Sequence, residues 1–261
     1  MRVYYLSDLH IERGIVSLDD FTFNLSTETK NILALCGDIG DPFSQLYWDL
    51  IFKMSKMFHL VFILTGNHEY YGHNMQDVDN HIMYNIHNFP NVKFLNNSVY
   101  EVEGIKFVGS TLWSNVPDDQ KEFITGYMND YRLIQDFTVD WQNQLHEENV
   151  SFLTQEIDTN TVVLTHHAPD RLNTSAKKYR NTPSTYAFGT DLDDLVAKCK
   201  YWIYGHTHYN IDHEKLKTNQ HGGYENTMHK FEMSKYIEIN RSVETKRRQL
   251  VVIKDSKRQR L

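Results

Sequence analysis

Five short polar segments, each following an apolar run, constrain this chain more than any other feature. They are Ser7-Asp8-Leu9-His10, Gly37-Asp38, Gly66-Asn67-His68-Glu69, Thr165-His166-His167 and Gly205-His206-Thr207-His208. Short apolar runs bounded by turn residues read as buried strands. In open α/β sheets, ligands bind beyond the carboxyl ends of such strands. If the five strands are neighbours, their loops converge on one edge, and residues from opposite halves of the chain become one cluster.

The rest of the pattern supports that arrangement. Residues 3–6, 32–36 and 60–64 read as strands, with a helix over 43–58 between the second and third. Strand, helix, strand in that order implies a right-handed crossover and a parallel pair. Residues 77–88 and 141–157 read as helices, 92–94 as a strand, and 99–102 with 105–109 as a hairpin through Glu103-Gly104. The stretch 111–137 is irregular. Residues 162–164 and 201–204 are further strands, 171–190 a loop and 192–198 a helix. Closing strands are expected at 236–239 and 250–253. There is no internal repeat or linker, so residues 1–261 are expected to form a single α/β domain.

Bulk properties exclude several classes. The chain has 261 residues, 40% of them hydrophobic, which suits one large soluble domain. Its net charge of −7 gives no general attraction to nucleic acid or anionic membrane. Residues 246–248 and the tail from about 254 are basic, and a solvated terminus is the commoner explanation of such a run. The two cysteines, Cys36 and Cys199, do not make a disulfide scaffold. No run is long enough to span a bilayer and no signal peptide precedes the first strand, so a cytoplasmic setting is expected.

The cluster has a definite chemistry. Asp8, His10, Asp38, Asn67, His166, His206 and His208 offer carboxylate, amide and imidazole groups without a thiolate. Mixed nitrogen and oxygen ligands suit divalent ions: manganese first, with iron, zinc, cobalt or nickel as the other fits. Two ions roughly 3.5–4 Å apart need a bridging group, and the carboxylate of Asp38 is the natural one. Gly37 beside it lets the backbone turn sharply. Each motif alone is weak: Asp38 could cap a helix, Asn67 could serve a turn, and a lone histidine is usually structural. Their joint occurrence, in order, changes the odds.

That order, Asp-x-His, Gly-Asp, Gly-Asn-His-Glu, His, Gly-His-x-His, resembles the calcineurin-like metallophosphoesterase superfamily. The resemblance runs from Asp8 to His208 and implies a four-layer α/β/β/α sandwich with a dinuclear centre. Carried over residue by residue, Asp8, His10, Asp38 and His208 hold one ion, and Asp38, Asn67, His166 and His206 hold the other. A hydroxide bridging the ions attacks phosphorus, and His68 serves the leaving group as proton donor or charge stabiliser. Glu69 either orients His68 or caps the following helix. His167 touches substrate or supports a ligand. The segments Gly109-Ser110-Thr111-Leu112-Trp113, Met128-Asn129-Asp130-Tyr131-Arg132-Leu133-Ile134, His166-His167-Ala168-Pro169 and Gly223-Tyr224-Glu225-Asn226 resemble a bacterial and phage-type subgroup. Within them Arg132 is a candidate phosphate contact, against a salt bridge to Asp130 or Asp136. Trp113, with Tyr186, is a candidate aromatic platform, against core packing.

Departures from defined branches narrow the substrate. Gly37-Asp38-Ile39-Gly40-Asp41-Pro42 lacks the arginine of protein serine/threonine phosphatases and the ligand tyrosine of purple acid phosphatases. The exonuclease branch has Gly-Asn-His-Asp and a longer capping region. A small phosphoesterase acting on a nucleotide-like diester or monoester remains. Nuclease or end-processing activity on nucleic acid is the alternative enzyme, and a non-catalytic scaffold on the same fold is the alternative of another class. The sequence leaves the oligomeric state open.

Overall fold

A computed structural model describes residues 1–211, 213–222 and 230–240. In chain order its strands and helices are β1 (Arg2–Leu6), β2 (Asn31–Cys36), α1 (Gln45–Met57), β3 (Leu60–Leu64), α2 (Met75–Ile86), β4 (Val92–Phe94), β5 (Ser98–Val102), β6 (Ile105–Ser110), α3 (Lys121–Tyr127), α4 (Asp130–Leu133), α5 (Val139–Glu156), β7 (Thr161–Thr165), α6 (Thr185–Phe188), α7 (Asp193–Lys198), β8 (Tyr201–Tyr204), β9 (Leu216–Thr218) and β10 (Tyr236–Glu238).

The strands make two five-stranded sheets, ordered β10-β1-β2-β3-β4 and β5-β6-β7-β8-β9. Neighbours within β1–β4 and within β6–β9 are parallel, while β10 and β5 add antiparallel edges. The β5–β6 hairpin turns at Glu103 (φ 52°) and Gly104 (φ 79°), the two positive angles that match strand twist.

The near-continuous apolar runs follow from burial on both faces. In β2, Ile32, Ala34 and Cys36 join Phe62, Leu64, Phe107, Val162 and Leu164 in a core between the sheets. The alternate residues Leu33 and Leu35 pack outward against Tyr47, Leu50, Ile51 and Met54 of α1 and Val78 and Ile82 of α2. On the second sheet, Val163, Trp202 and Tyr204 pack outward against Leu153 of α5 and Leu195 of α7. The result is the expected α/β/β/α layering, set by the two-residue strand period.

Register positions the functional edge. Leu6 pairs with Leu35, Cys36 with Leu64, and Ser110 with Thr165, so the parallel strands end level. The loops after them emerge together.

Some boundaries differ from expectation because side-chain caps decide them. The Asn74 side chain accepts from Gln76 N, starting α2 at Met75, and the Thr138 side chain accepts from Trp141 N, starting α5 at Val139. Two short helices, α3 and α4, lie within the irregular stretch 111–137, and α6 lies within 171–190. Strand β9 is too short to carry a periodic signal. The expected strand at 250–253, the basic stretches at 246–248 and 254–261, and Gly223-Tyr224-Glu225-Asn226 lie outside the described residues. Cys36 and Cys199 are free and buried. Among the described residues no helix is long and apolar enough to cross a membrane.

Candidate metal centre

At the strand ends the backbone adopts an unusual conformation. Asp8 (φ 54°), His10 (46°), Asp38 (54°), His206 (68°) and His208 (47°) are all left-handed. Such residues cost about 1–2 kcal/mol each, though Asp and His tolerate the region better than most. The turns swing each side chain back over the strand ends. Gly37 (φ 83°) leaves room for them, since a Cβ there would lie 2.5 Å from His166 Nδ1. A Cβ on Gly66 would run into the Asp38 carboxylate and the His166 ring.

Three groups of ligand-type atoms result, one of them His10, Glu12 and His68, and the other two share Asp38. Asp8, His10, Asp38 and His208 each offer an atom within 4.8 Å of the others, and so do Asp38, His166 and His206. Asp38 belongs to both. Its Oδ2 is 3.7 Å from His10 Nε2 and its Oδ1 is 3.4 Å from His166 Nε2. Asn67 Oδ1 lies 3.2 Å from His166 Nε2 and completes the second group.

Each ligand is held by its surroundings. His166 Nδ1 bonds the Cys36 carbonyl at 2.9 Å and His206 Nε2 the Ala187 carbonyl at 3.3 Å. The opposite nitrogens, His166 Nε2 and His206 Nδ1, face each other at 3.2 Å. Outer hydrogen bonds of this kind fix a metal-binding imidazole. Asp8 accepts from Ser7 Oγ (2.5 Å) and from His206 N (3.0 Å), stitching the β1 loop to the β8 loop. Gln220 Oε1 accepts from His208 N at 2.6 Å.

The electrostatics call for a cation. Asp8 and Asp38 are fully buried carboxylates. Burial alone would raise both, but His208 beside Asp8, and His166 and His68 beside Asp38, hold them below the ordinary range. His166 answers: burial opposes its charge, yet Asp38 and Asp8 push it up to about 10. The two carboxylates thus attract positive charge to this position. Both ring nitrogens of fully buried His10 lack a hydrogen-bond partner. An orphaned buried polar atom costs about 1–3 kcal/mol, and a bound ion relieves it. This donor set fits divalent metal.

Residues 1–210 match the calcineurin-like phosphoesterase family. The chain belongs to that family. It is also similar to the uncharacterized protein L509 of Acanthamoeba polyphaga mimivirus, 32% identical over 269 residues, covering 90% of this chain and 96% of the relative. A solved structure aligns over 84% of this chain and 90% of its own at 10% identity, with a TM-score of 0.49. Membership implies phosphoester hydrolysis with divalent metal, and the clusters described above could hold it.

In this calcineurin-like phosphoesterase the site opens into a cleft of about 550 Å³. Asp38, Asn67, His68, His206 and His208 form its floor. His68 N donates to Asp38 Oδ1 at 2.9 Å, and His68 Nε2 lies 4.0 Å from Asp38 Oδ2. Burial, partly offset by Asp38, lowers the His68 pKa.

Three expected substrate contacts do not line the cleft. Trp113 is 2% exposed and packs on Phe137 and His167 beneath the site, so its ring offers no platform. His167 is buried between Trp113 and His206, where burial and His166 push it down to about 3, and its ring packs against that of His206 outside the cleft lining. Arg132 is exposed and donates to Asn129 Oδ1, leaving Asn129 itself in the cleft wall. The alternative partner Asp130 is turned inward. Tyr186 is covered by the Arg171 guanidinium, 4.0 Å above its ring.

Two buried carboxylates have roles the sequence did not suggest. Glu69 neither orients His68 nor caps a helix. It accepts from the backbone N–H groups of Asp38 (2.9 Å), Ile39 (2.6 Å) and Gly66 (2.6 Å), tying the β2 loop to the β3 loop. Asp130 Oδ1 accepts from Asn67 Nδ2 at 2.8 Å and from Tyr71 OH at 2.6 Å. An amide can point either way, and Asp130 holds the nitrogen so that Oδ1 faces the cluster. Burial pushes Glu69 up to about 8 and Asp130 up to about 6.

Proposed function

We propose that this chain hydrolyses a small nucleotide-like phosphodiester or phosphomonoester at two divalent ions that share Asp38. What supports this most is the place of Asp38 in two of the three ligand groups. Asp8, His10, Asp38 and His208 would hold one ion, and Asp38, Asn67, His166 and His206 the other. Manganese is the first choice for such a set of nitrogen and oxygen donors. Bound there, the ions supply a water nucleophile at neutral pH and neutralise charge on the phosphoryl oxygens.

The chain's own groups do the rest. His68 lies on the cleft floor beside Asp38, where its N–H can donate to the leaving oxygen. Glu69 fixes the loops carrying Asp38 and Asn67, and Asp130 fixes the Asn67 amide. A scaffold would not need His68 or the full donor set, and this chain assembles both.

The test is release of p-nitrophenolate from bis(p-nitrophenyl) phosphate by protein stripped with chelator and reloaded with manganese. Activity is expected only after reloading. In Asp38→Asn it should fall by more than about a hundredfold, beyond the roughly 10–100-fold that losing an outer hydrogen-bond partner of a ligand costs. Asp38→Asn that binds two ions normally would remove Asp38 as their shared ligand.

A further inference from the structure

Resting on the phosphoesterase reading, we propose that residues 171–190 form the substrate-selecting wall, and that Lys178 receives a second phosphate on a nucleotide whose scissile phosphate sits on the floor. The cleft, at about 550 Å³, falls in the range for organic ligands, roughly 300–1,000 Å³. A phosphate alone leaves most of it empty. Tyr71, Tyr127, Tyr179, Phe188 and Tyr209 all line it, Tyr127 meeting Phe188 edge to face at 6.4 Å. Tyr127 is 44% exposed and Tyr179 43%, unusual for large rings at the mouth of a cleft. Tyr127 stacks on Phe123 with one face and Lys178 Nζ sits over one face of Tyr179, so a planar base would stack on the opposite face of either ring.

Charge narrows the ligand further. Among the described residues, Lys178 is the sole lysine or arginine in the cleft lining. Its Nζ lies 4.6 Å from the centre of the Tyr179 ring, and no carboxylate pairs with it among the described residues. Arg180 is engaged within the loop, donating to the Ser175 carbonyl at 3.0 Å. Asp38 is the only acidic side chain in the lining among the described residues. Among the described residues, one lysine without a carboxylate partner beside the candidate metal ligands suits one additional phosphate. A polynucleotide would need a track of cations along its backbone.

The wall is held in register with the floor. Ala168, directly after His166 and His167, donates to the Phe188 carbonyl (3.1 Å) and accepts from Thr190 N (3.0 Å). Arg171 Nε meets Asp191 Oδ2 at 3.0 Å. The Ala187 carbonyl accepts from His206. Thus the segment that carries Lys178 and Tyr179 is tied near its C-terminal end to Ala168 and to His206, and Arg171 at its start is tied to Asp191. A long pinned loop of this kind commonly serves recognition.

The test uses the manganese-loaded full chain and thymidine 5′-(p-nitrophenyl phosphate), with and without a 3′-phosphate. The leaving group is the same, so the ratio of kcat/KM reports the second phosphate alone. That ratio is expected near tenfold, carried by KM, equivalent to about 1.4 kcal/mol. Lys178→Met should bring the ratio close to one, while Lys177→Met, on the exposed neighbour outside the cleft lining, should preserve it. A wild-type ratio of one overturns the proposal, as does a ratio that survives Lys178→Met or falls equally with Lys177→Met. Preference for an oligonucleotide, with steep salt dependence, overturns it in favour of a polynucleotide. If bis(p-nitrophenyl) phosphate is cleaved but the 3′-phosphate has no effect, only this proposal fails. If neither it nor the thymidine probes are cleaved, the phosphoesterase reading fails as well.

Discussion

Single side chains set the chemistry of the site, and two of them separate binding from turnover. His68 is outside both ligand groups that share Asp38, so His68→Ala should bind metal normally. Its kcat should drop by about 10²–10⁴ on esters with poor leaving groups and less on nitrophenyl esters; a wild-type rate on an alkyl ester would remove His68 from the mechanism. Asp130 works through Asn67. Asp130→Ala should weaken one of the two ions by about 10–100-fold and leave the other tight, seen as two separated phases in a metal titration. Two equally weakened phases would point to general loosening. The candidate ligands were legible in the sequence because Asp, His and Gly directly after apolar runs tolerate the turned-back conformation the site uses. Asp130, Glu69 and Tyr71 were not, because their partners are set by tertiary proximity. The available signal was chemical: a ligand asparagine needs a partner to fix its amide, and Asp130 stands in a segment already notable for Arg132. Lys178 and Tyr179 sat unnoticed in a loop without periodicity.

Among the elements, α2 is tied to the sheets by a buried polar chain. Asp79 accepts from Tyr70 OH (2.9 Å), which meets Thr65 Oγ1 (2.7 Å), itself 3.2 Å from Thr111 Oγ1 on the second sheet. Burial pushes Asp79 up from 3.8 to about 6. The folded chain therefore holds that proton more tightly than the unfolded chain, and stability is lost as pH rises from about 4 to about 6. Asp79→Asn keeps an acceptor for Tyr70 and removes this titration. Relative to wild type it should gain about 1–2 kcal/mol between those limits, after allowance for partial exposure, as read by urea unfolding of metal-free protein. Parallel pH profiles would contradict this. The elements were largely legible, since strands buried on both faces leave near-continuous apolar runs and the caps Asn74 and Thr138 shift boundaries by only two residues. Strand β9, Leu-Lys-Thr, was not: three residues have no period, and its place is set by pairing with β8.

The whole molecule is two sheets whose parallel strands end level, with buried Asp8 and Asp38 where the ends meet. A divalent ion held by those carboxylates would be part of the folding free energy. Ions at about a hundred times their dissociation constant add about 2.7 kcal/mol per site. Chelation should therefore lower Tm by about 5 °C or more in a chain of this size, and an unchanged Tm would mean that no ion was bound in the folded state. The central claim is that Asp38 joins two ion sites, and anomalous diffraction from crystals grown with manganese measures it most directly. The account predicts two peaks per chain, roughly 3.5–4 Å apart, one among Asp8, His10 and His208, the other among Asn67, His166 and His206, with Asp38 between them. A single peak, or peaks away from these residues, would contradict it.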